Sequence, residues 1–290
     1  MECTNAVIGG TGAYTLLGAG AFESERLRPI HTPYGESQTI FLVAQEGVRF
    51  LFMSRHGEED YDISAPYVNY QANIFALKEL GVKHIIAWSG PGAINPNLKP
   101  GQFIIPDDIL DETRGRKSSF FEGRGIGHMR QNPVFCPRLA STLHGSLERL
   151  KLPFRMGGTY VCTQGPRLET AAEIKKYAVL GGDIVGMVLA PECFLARELE
   201  ICYIPLCYVS NYAEGVRQRK YRVGVIFEGL NSEAEQEQAG QALSQIPGVI
   251  IDCFKSLDAE ETQCFCQFTM ERHRKRGAVS SEWHDWFESK

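Results

Sequence analysis

Short apolar runs alternate with amphipathic segments along most of the 290-residue chain. The apolar runs predict strands at residues 6–8, 39–44, 49–53, 84–87, 102–106, 183–185 and 202–209. Apolar positions at helical spacing between these runs predict helices at residues 67–80, 169–180 and 233–243. Strands that alternate with helices are typical of an α/β fold with a largely buried sheet and flanking helices.

Glycines mark several ends of these elements. Gly81 follows the helix predicted for residues 67–80, and Gly181 follows the one predicted for residues 169–180, as expected for helix C-termini. The dipeptide Glu46-Gly47 separates two strand-like runs and predicts a hairpin turn. These glycines therefore indicate where the predicted helices and strands end.

Three stretches interrupt the alternation. Residues 111–132 are polar and rich in Gly and Arg, and they are long for a simple connection, so we expect a functional or interface loop. Residues 215–229 form a second long connection. Beyond Leu257 the chain becomes rich in charged and aromatic residues. We therefore predict one domain over residues 1–257 and a helical extension or tail over residues 258–290.

Composition narrows the classes of function. The chain is 43% hydrophobic and 22% charged with a net charge of −5, which is typical of a globular protein and argues against nucleic-acid binding. No apolar run reaches membrane-spanning length and no signal peptide is apparent. The nine cysteines lie mostly in apolar segments, which favours reduced thiols over a disulfide framework. We expect a cytoplasmic protein that binds a small molecule.

Two short motifs follow strands and suit an anion. Gly9-Gly10-Thr11-Gly12 is a glycine turn after an apolar strand, where backbone N–H groups and a hydroxyl can approach an oxyanion closely. Ser54-Arg55-His56-Gly57 follows the strand predicted for residues 49–53 and contributes a guanidinium and an imidazole. Because ligands bind at the carboxyl ends of parallel strands, the two motifs together indicate a phosphate site.

A further set of motifs carries a resemblance to a known family. The chain resembles the methylthioadenosine phosphorylase and trimeric purine nucleoside phosphorylase family over residues 6–215. The matching segments are Gly9-Gly10-Thr11-Gly12, Thr32-Pro33-Tyr34-Gly35, Ser54-Arg55-His56-Gly57, Val68-Asn69-Tyr70-Gln71-Ala72-Asn73, Gly165-Pro166-Arg167 and Pro191-Glu192. The resemblance implies a single-domain mixed-sheet nucleoside phosphorylase fold with flanking helices.

The resemblance also implies a reaction, the phosphorolysis of a purine nucleoside to a free base and a pentose 1-phosphate. Inorganic phosphate is then the co-substrate, and no further cofactor or metal is expected. Phosphate would stabilise the oxocarbenium-like sugar and attack it. By motif correspondence the phosphate ligands are Thr11, Arg55, His56, Ser89 and the backbone N–H of Gly90. Taken singly, each residue could equally have an ordinary structural role.

The sugar and the base are assigned in the same way. Met187 corresponds to a residue beside the ribose, and Leu168 to a residue on the face of the base. Glu169 corresponds to the glutamate of 6-oxopurine enzymes, and Asn211 occupies the place of the aspartate expected in enzymes for 6-aminopurines. An amide can donate to O6 and accept from N7–H, so we expect an oxo base. The expected catalytic residues are Asn211, His56 and Arg55.

Two features leave the substrate and the activity open. Asn211 with Ala213 resembles the methylthioinosine variant of the family, but inosine and guanosine remain alternatives, as does methylthioadenosine. Val188 replaces the Ser or Thr with which relatives reach the phosphate, and a lost hydroxyl donor costs about 1–3 kcal/mol. Together with Leu168, this keeps a catalytically weakened nucleoside-binding protein as the second hypothesis.

The resemblance further implies an oligomer. His128 matches a residue that relatives deliver from a neighbouring subunit to cover the 5′ end of the sugar, although it could also be a plain surface residue. We therefore expect a homotrimer or a dimer of trimers.

A metal site is not expected from the cysteine spacing. Cys264-Phe265-Cys266, followed by His273 and His284, fits no standard zinc pattern, so free thiols or a local redox pair are the interpretation.

Overall fold

The computed structural model describes residues 3–217, 232–258 and 264–287. Its strands are β1 (Asn5–Gly9), β2 (Ser24–Arg26), β3 (His31–Thr32), β4 (Gly35–Glu36), β5 (Ile40–Gln45), β6 (Val48–Ser54), β7 (His84–Ser89), β8 (Gly92–Ala93), β9 (Phe103–Ile105), β10 (Asp108–Glu112), β11 (Phe154–Met156), β12 (Thr159–Thr163), β13 (Gly182–Gly186), β14 (Cys202–Tyr208) and β15 (Asn211–Tyr212).

The α-helices are α1 (Ala13–Gly18), α2 (Tyr70–Glu79), α3 (Pro137–Arg149), α4 (Ala171–Val179), α5 (Leu189–Glu198), α6 (Glu233–Asp258) and α7 (Glu271–Lys275). Short 3₁₀ helices are Ala65–Tyr67, Phe265–Phe268 and Trp283–Phe287. None of the helices in these described ranges is both long and apolar enough to cross a membrane.

Two mixed sheets form the centre of the fold. The larger sheet has the strand order β11-β9-β14-β7-β1-β6-β5-β2, and the smaller one has the order β10-β12-β13-β8-β15. In the larger sheet β14, β7, β1 and β6 run parallel, whereas β5 and β2 are antiparallel to their neighbours. The central strands β1, β7 and β14 are apolar and buried along almost their whole length, as is typical of parallel strands.

The core is built on these parallel strands. Trp88 on β7 and Phe50 and Phe52 on β6 are completely buried. The helix α6 packs against α3, β6 and β14, and α2 packs against α5. The predicted α/β class with a mixed sheet and flanking helices is confirmed.

Most predicted elements agree with the structure within a few residues, and the disagreements have local causes. The helix predicted from residue 67 begins at Tyr70, because the Asn69 side chain accepts a hydrogen bond from the Ala72 backbone N–H and caps it. The hairpin predicted at Glu46-Gly47 is present, and both residues have positive φ, as a type I′ turn requires.

The helix predicted for residues 233–243 is the largest error. The observed α6 continues through Pro247 to Asp258. A proline inside a helix removes one backbone hydrogen bond, so it is a common place for a helix to end. Here the apolar residues after it, Ile250 and Phe254 among them, are completely buried, and this packing offsets the lost bond.

The last described segment lies against the body of the protein. Trp286 is 1% exposed, and the Phe287 ring stacks on Phe121 with centroids 5.7 Å apart. The proposed division at residues 257 and 258 falls at the end of α6 and stays a prediction. The predicted connection over residues 215–229 lies outside the described residues except for its first three positions.

Candidate active site

The carboxyl ends of three neighbouring strands meet at one edge of the larger sheet. The register pairs Gly9 at the end of β1 with Ser54 at the end of β6, and it pairs Ile8 with Ala87 on β7. The residues that follow these strands are therefore neighbours in space, although they come from distant parts of the sequence. This edge is where an α/β sheet places its ligands.

The glycine turn after β1 brings the backbone close to β7. A Cβ on Gly10 would lie 2.7 Å from the carbonyl oxygen of Trp88, and Gly12 has a φ of +85°. Neither position accepts an ordinary side chain without strain. The turn that contains Thr11 therefore lies beside the end of β7 and the Arg55 side chain that follows β6.

A cavity of about 470 Å³ opens at this edge and extends to the smaller sheet. This volume is within the range of small-molecule sites. Its walls combine glycines, hydroxyls and a few charged groups with apolar side chains. They are formed by Gly10, Thr11, Tyr14, His56, Tyr61, Ser89, Gly90, Gly92, Pro166, Leu168, Glu169, Val185, Gly186, Met187, Val188, Ser210, Asn211, Tyr212, Ala213 and Glu214.

Most of the site residues predicted from the sequence line this one cavity. They are Thr11, His56, Ser89, Gly90, Leu168, Glu169, Met187, Asn211 and Ala213. Two predicted residues, Arg55 and His128, are not among the lining residues. The grouping places the predicted phosphate, sugar and base contacts around a common space, and their individual roles stay predictions.

Arg55 lies behind the cavity wall, where it forms a buried ion pair. Its Nε and Nη2 atoms each donate to the Glu192 carboxylate at 2.6 Å, and Nη1 donates to the carbonyl oxygen of Trp88 at 3.1 Å. Arg55 is 0% exposed and Glu192 is 1% exposed. Burial disfavours the charge on Arg55, but the Glu192 carboxylate outweighs this and raises the pKa of the guanidinium. From the sequence, Arg55 was expected to bind phosphate, and its ion pair with Glu192 was not predicted.

The Arg55 guanidinium also lies close to the glycine turn. Its Nη1 is 3.3 Å from the point where a Cβ on Gly10 would be. Tyr203 also donates its hydroxyl to Glu192 at 2.7 Å. The structure therefore places Arg55 as a buried positive charge next to the glycine turn.

His56 has one ring nitrogen already engaged. Its Nδ1 lies 2.7 Å from the carbonyl oxygen of Ile63, and its ring stacks on Tyr61 with centroids 4.3 Å apart. A carbonyl can only accept, so Nδ1 carries the proton and Nε2 is left for a ligand. Burial lowers the pKa of His56 to about 4, and the nearby Arg55 acts in the same direction. At neutral pH the ring is uncharged and Nε2 accepts a hydrogen bond.

Glu169 is in the cavity wall because helix α4 begins after it. We predicted the helix from residue 169, but it begins at Ala171 with a capping box between Thr170 and Glu173. The Thr170 hydroxyl accepts from the Glu173 N–H at 3.2 Å, and the Glu173 carboxylate accepts from the Thr170 N–H at 2.7 Å. Glu169 is therefore free of the helix, and its carboxylate accepts a hydrogen bond from the Thr163 hydroxyl at 2.5 Å.

Asn211 is held by the smaller sheet. It begins β15, which pairs in parallel with β8 through Gly92. A Cβ on Gly92 would lie 2.8 Å from Oδ1 of Asn211, so a glycine is needed for the amide to keep its position. This places an amide and the Glu169 carboxylate in the wall of the same cavity.

Tyr160 is a buried tyrosine next to one of the predicted phosphate residues. Its hydroxyl lies 3.2 Å from the Ser89 hydroxyl. A Cβ on Gly186 would lie 2.0 Å from this hydroxyl, so Gly186 has no room for a side chain. A buried phenol therefore lies beside the predicted phosphate residues. The sequence analysis did not include it, and its neighbours Val161 and Cys162 give it the appearance of an ordinary core strand residue.

Arg116 is the most connected residue that the sequence analysis missed. Its Nη1 donates to the carbonyl oxygens of Met187 at 2.7 Å and Ala190 at 2.6 Å. Its Nη2 donates to the carbonyl oxygen of Gln164 at 2.8 Å. The side chain thus ties the segment around Met187 to the end of β12. The polar stretch 111–132 was predicted to be functional, but nothing in its sequence distinguishes Arg116 from the other arginines there.

A family model described as the phosphorylase superfamily matches residues 4–247. The chain belongs to the phosphorylase superfamily. This confirms the predicted family, and with it the prediction of an enzyme of the nucleoside phosphorylase fold.

Individual relatives agree with this assignment. The chain is 42% identical over 238 residues to a 6-oxopurine nucleoside phosphorylase of Pyrococcus furiosus, covering 79% of this chain and 87% of the relative. It is 38% identical over 272 residues to a probable S-methyl-5′-thioinosine phosphorylase of Methanothermobacter thermautotrophicus, covering 94% and 89%. A crystal structure of methylthioadenosine phosphorylase from an antarctic soil metagenomic library superposes with a TM-score of 0.79 at 30% identity, covering 92% and 91%.

Proposed function

We propose that this phosphorylase cleaves 6-oxopurine nucleosides with inorganic phosphate, releasing the base and a pentose 1-phosphate. The observation that carries the proposal is the shared cavity, in which Thr11, His56 and Ser89 lie toward the strand ends and Glu169 and Asn211 also form the wall. The relatives named as acting on 6-oxopurine nucleosides and methylthioinosine support the same substrate class.

Phosphate serves as both nucleophile and counter-charge in the proposed reaction. The glycosidic bond breaks first, and its electron pair leaves with the base nitrogen while positive charge develops on the sugar. A phosphate oxygen held by Thr11, Ser89 and the Gly90 N–H then bonds to C1′. Because Nε2 of His56 accepts at neutral pH, it suits a protonated phosphate oxygen. Arg55 supplies a buried positive charge beneath the turn.

Two groups in the wall suit the hydrogen-bonding edge of an oxo base. An amide at Asn211 donates to O6 and accepts from N7–H, and so stabilises the leaving base as it gains a proton at N7. The Glu169 carboxylate accepts from N1–H. Adenine presents a lone pair at N1, so the same carboxylate would repel it. Thr163 holds this carboxylate in place with its hydrogen bond of 2.5 Å.

We also propose that the active form is a homotrimer or a dimer of trimers, with the sugar's 5′ end covered by a neighbouring subunit. His128 is exposed on the single chain and is not among the residues that line its cavity. A residue in that position reaches a site only if a second copy brings it there. The group at the 5′ carbon, a hydroxyl or a methylthio group, would be decided by this covering surface.

The direct test is phosphate-dependent base release by the purified full chain. We expect hypoxanthine release from inosine or methylthioinosine, with kcat/KM at least tenfold above that for adenosine and methylthioadenosine. Faster cleavage of methylthioadenosine would make the protein a methylthioadenosine phosphorylase. Affinity for nucleosides without any turnover would make it a binding protein, in line with the hydroxyl that Val188 lacks.

The variant Asn211→Asp tests whether Asn211 recognises the oxo group of the base. A carboxylate accepts from a 6-amino group but repels O6, so the variant should shift the ratio of kcat/KM for inosine and adenosine toward adenosine by about tenfold, or about 1.4 kcal/mol. The matched control is Asn97→Asp, since Asn97 is an exposed loop residue. An unchanged ratio in the Asn211 variant would remove this residue from base recognition.

A further inference from the structure

Four cysteines from three separate parts of the chain form a compact buried cluster. Cys136 precedes helix α3, Cys202 begins strand β14, and Cys264 and Cys266 belong to the last described segment. Their Sγ atoms all lie within 4.8 Å of one another. Cys264 is 3.4 Å from Cys136 and 3.6 Å from Cys266, measured between sulfurs, and all four are free thiols.

These separations match the dimensions of a tetrahedral metal site. A Zn–S bond of about 2.3 Å in a tetrahedron places the sulfurs about 3.8 Å apart. The cluster therefore already has nearly the required size, and a shift of less than about 1 Å per sulfur completes it. Four thiolates in this geometry favour Zn²⁺ over cations that prefer oxygen ligands.

We propose that Cys136, Cys202, Cys264 and Cys266 bind one structural Zn²⁺ ion. Four protein ligands close the coordination sphere, so no position is left for water or substrate. None of the four cysteines is among the residues that line the cavity of the proposed active site. The ion's role is to fasten the C-terminal segment to α3 and β14.

The surroundings hold the four ligands together without the metal. The Cys136 backbone N–H donates to the Tyr203 carbonyl oxygen at 2.9 Å, which fixes the start of α3 beside β14. Thr269 donates its hydroxyl to the Arg197 carbonyl oxygen at 2.7 Å, and the Met270 N–H donates to Glu200 at 2.9 Å. Both bonds fasten the C-terminal segment next to Cys202. Such preorganisation lowers the entropic cost of assembling a metal site.

The sequence predicted no metal site here, because the histidines that follow Cys264 and Cys266 in the chain are not the other two ligands. A single residue separates Cys264 from Cys266, fewer than in standard zinc motifs, and the nearby histidines do not complete the site. His284 is paired instead with Glu79 at 3.1 Å. The missing ligands, Cys136 and Cys202, lie more than sixty residues away in the sequence.

Metal analysis of the full chain, purified under reducing conditions without added metals, tests the proposal. We expect about one zinc per chain. The double variant C264S/C266S should lose it, whereas C193S/C253S should retain it, since Cys193 and Cys253 are equally buried but lie outside the cluster. The wild-type measurement decides the question even if the double variant does not fold.

Cobalt gives an independent readout. Exchange of the wild-type metal for Co²⁺ should produce the intense visible absorption of a tetrahedral cobalt thiolate, and this spectrum should be absent from C264S/C266S. The proposal would be overturned if purified wild-type protein contains no zinc, whether its four cysteines are then free thiols or are joined as disulfides. Iron in place of zinc would also overturn it.

Discussion

At the residue scale, the buried pair of Arg55 and Glu192 places two opposite charges where water does not reach. Each of the two guanidinium nitrogens that face Glu192 is 2.6 Å from a carboxylate oxygen. A buried pair of this kind adds little over an apolar pair, but the loss of one partner leaves an uncompensated charge. Arg55 and Glu192 therefore depend on each other, and the glycine turn above depends on both.

Glu192→Gln should destabilise the protein by about 3–5 kcal/mol, because it leaves the Arg55 charge buried without a counter-charge. Urea unfolding measures the change. The control is Glu46→Gln, which breaks the exposed Lys255–Glu46 pair and should cost at most about 1 kcal/mol. Equal losses in the two variants would contradict the buried-charge argument.

His56 gives the stability a dependence on pH. Its folded pKa of about 4 lies below the unfolded value, so between these two pH values the unfolded chain binds more protons. The contribution of His56 to the free energy of unfolding is fully present above about pH 6.5, and about 3 kcal/mol of it is lost as the pH falls to about 4.

His56→Gln should flatten this part of the curve. The free energy of unfolding is measured at several pH values in both proteins, and the difference between them isolates His56 from other groups such as Glu198, whose pKa burial raises to about 7. His144→Gln is the control, because the His144 side chain is 38% exposed and lies on the outside of α3 beside Glu148. A wild-type curve parallel to that of His56→Gln would show that His56 is not held neutral in the folded state.

At the scale of elements, the cavity is formed by segments that follow strands, and Arg116 holds two of these segments together. Its guanidinium donates to carbonyl oxygens on the Met187 segment and at the end of β12. The planar fork of arginine reaches several carbonyls at once, which an ammonium group cannot do. The position of Met187 therefore depends on a side chain from the polar loop of residues 111–132.

Arg116→Lys should lower kcat/KM for the nucleoside by about 10- to 100-fold, equivalent to about 1–3 kcal/mol from carbonyls left without donors. The fold should persist, which circular dichroism can check. Arg114→Lys, two residues earlier on an exposed side chain, should change kcat/KM less than twofold. A similar small effect at both positions would rule out a positioning role for Arg116.

At the scale of the whole molecule, the proposed homotrimer or dimer of trimers would bring a second copy of the chain to the site. The single chain exposes large apolar side chains, among them Tyr67 at 76%, Val179 at 87% and Phe265 at 86%. Aromatic and other large apolar side chains that are exposed on one chain are available to pack against a second subunit. The position of His128 outside the cavity of its own chain agrees with such an assembly.

Subunit mixing tests whether the site is shared. Asn211→Ala and His128→Ala chains should each have low activity alone, and their co-expression should restore part of it, because some mixed sites combine an intact Asn211 with an intact His128 from the neighbour. Phosphorolysis by the mixed oligomers is measured after sizing by light scattering. Activity no higher than the mean of the two parent variants would place both residues in one subunit's site or remove His128 from it.

The sequence by itself determined the features that depend on near neighbours. Apolar runs marked the central strands, and the glycines of residues 9–12 marked a turn that only small residues can form. Ordered motifs indicated the family, which the comparisons confirm. These signals are local because each strand, turn or motif is recognised from residues that are close together in the sequence.

The tertiary structure alone decided which distant residues meet. Arg55 and Glu192 are 137 positions apart, and the hydrogen-bond partners of Arg116 lie 46 or more positions away, so no periodicity could connect them. The same holds for the four cysteines, whose grouping depends on where α3, β14 and the C-terminal segment end in space. Packing of the two sheets sets these contacts, because it fixes long-range distances that the order of residues leaves open.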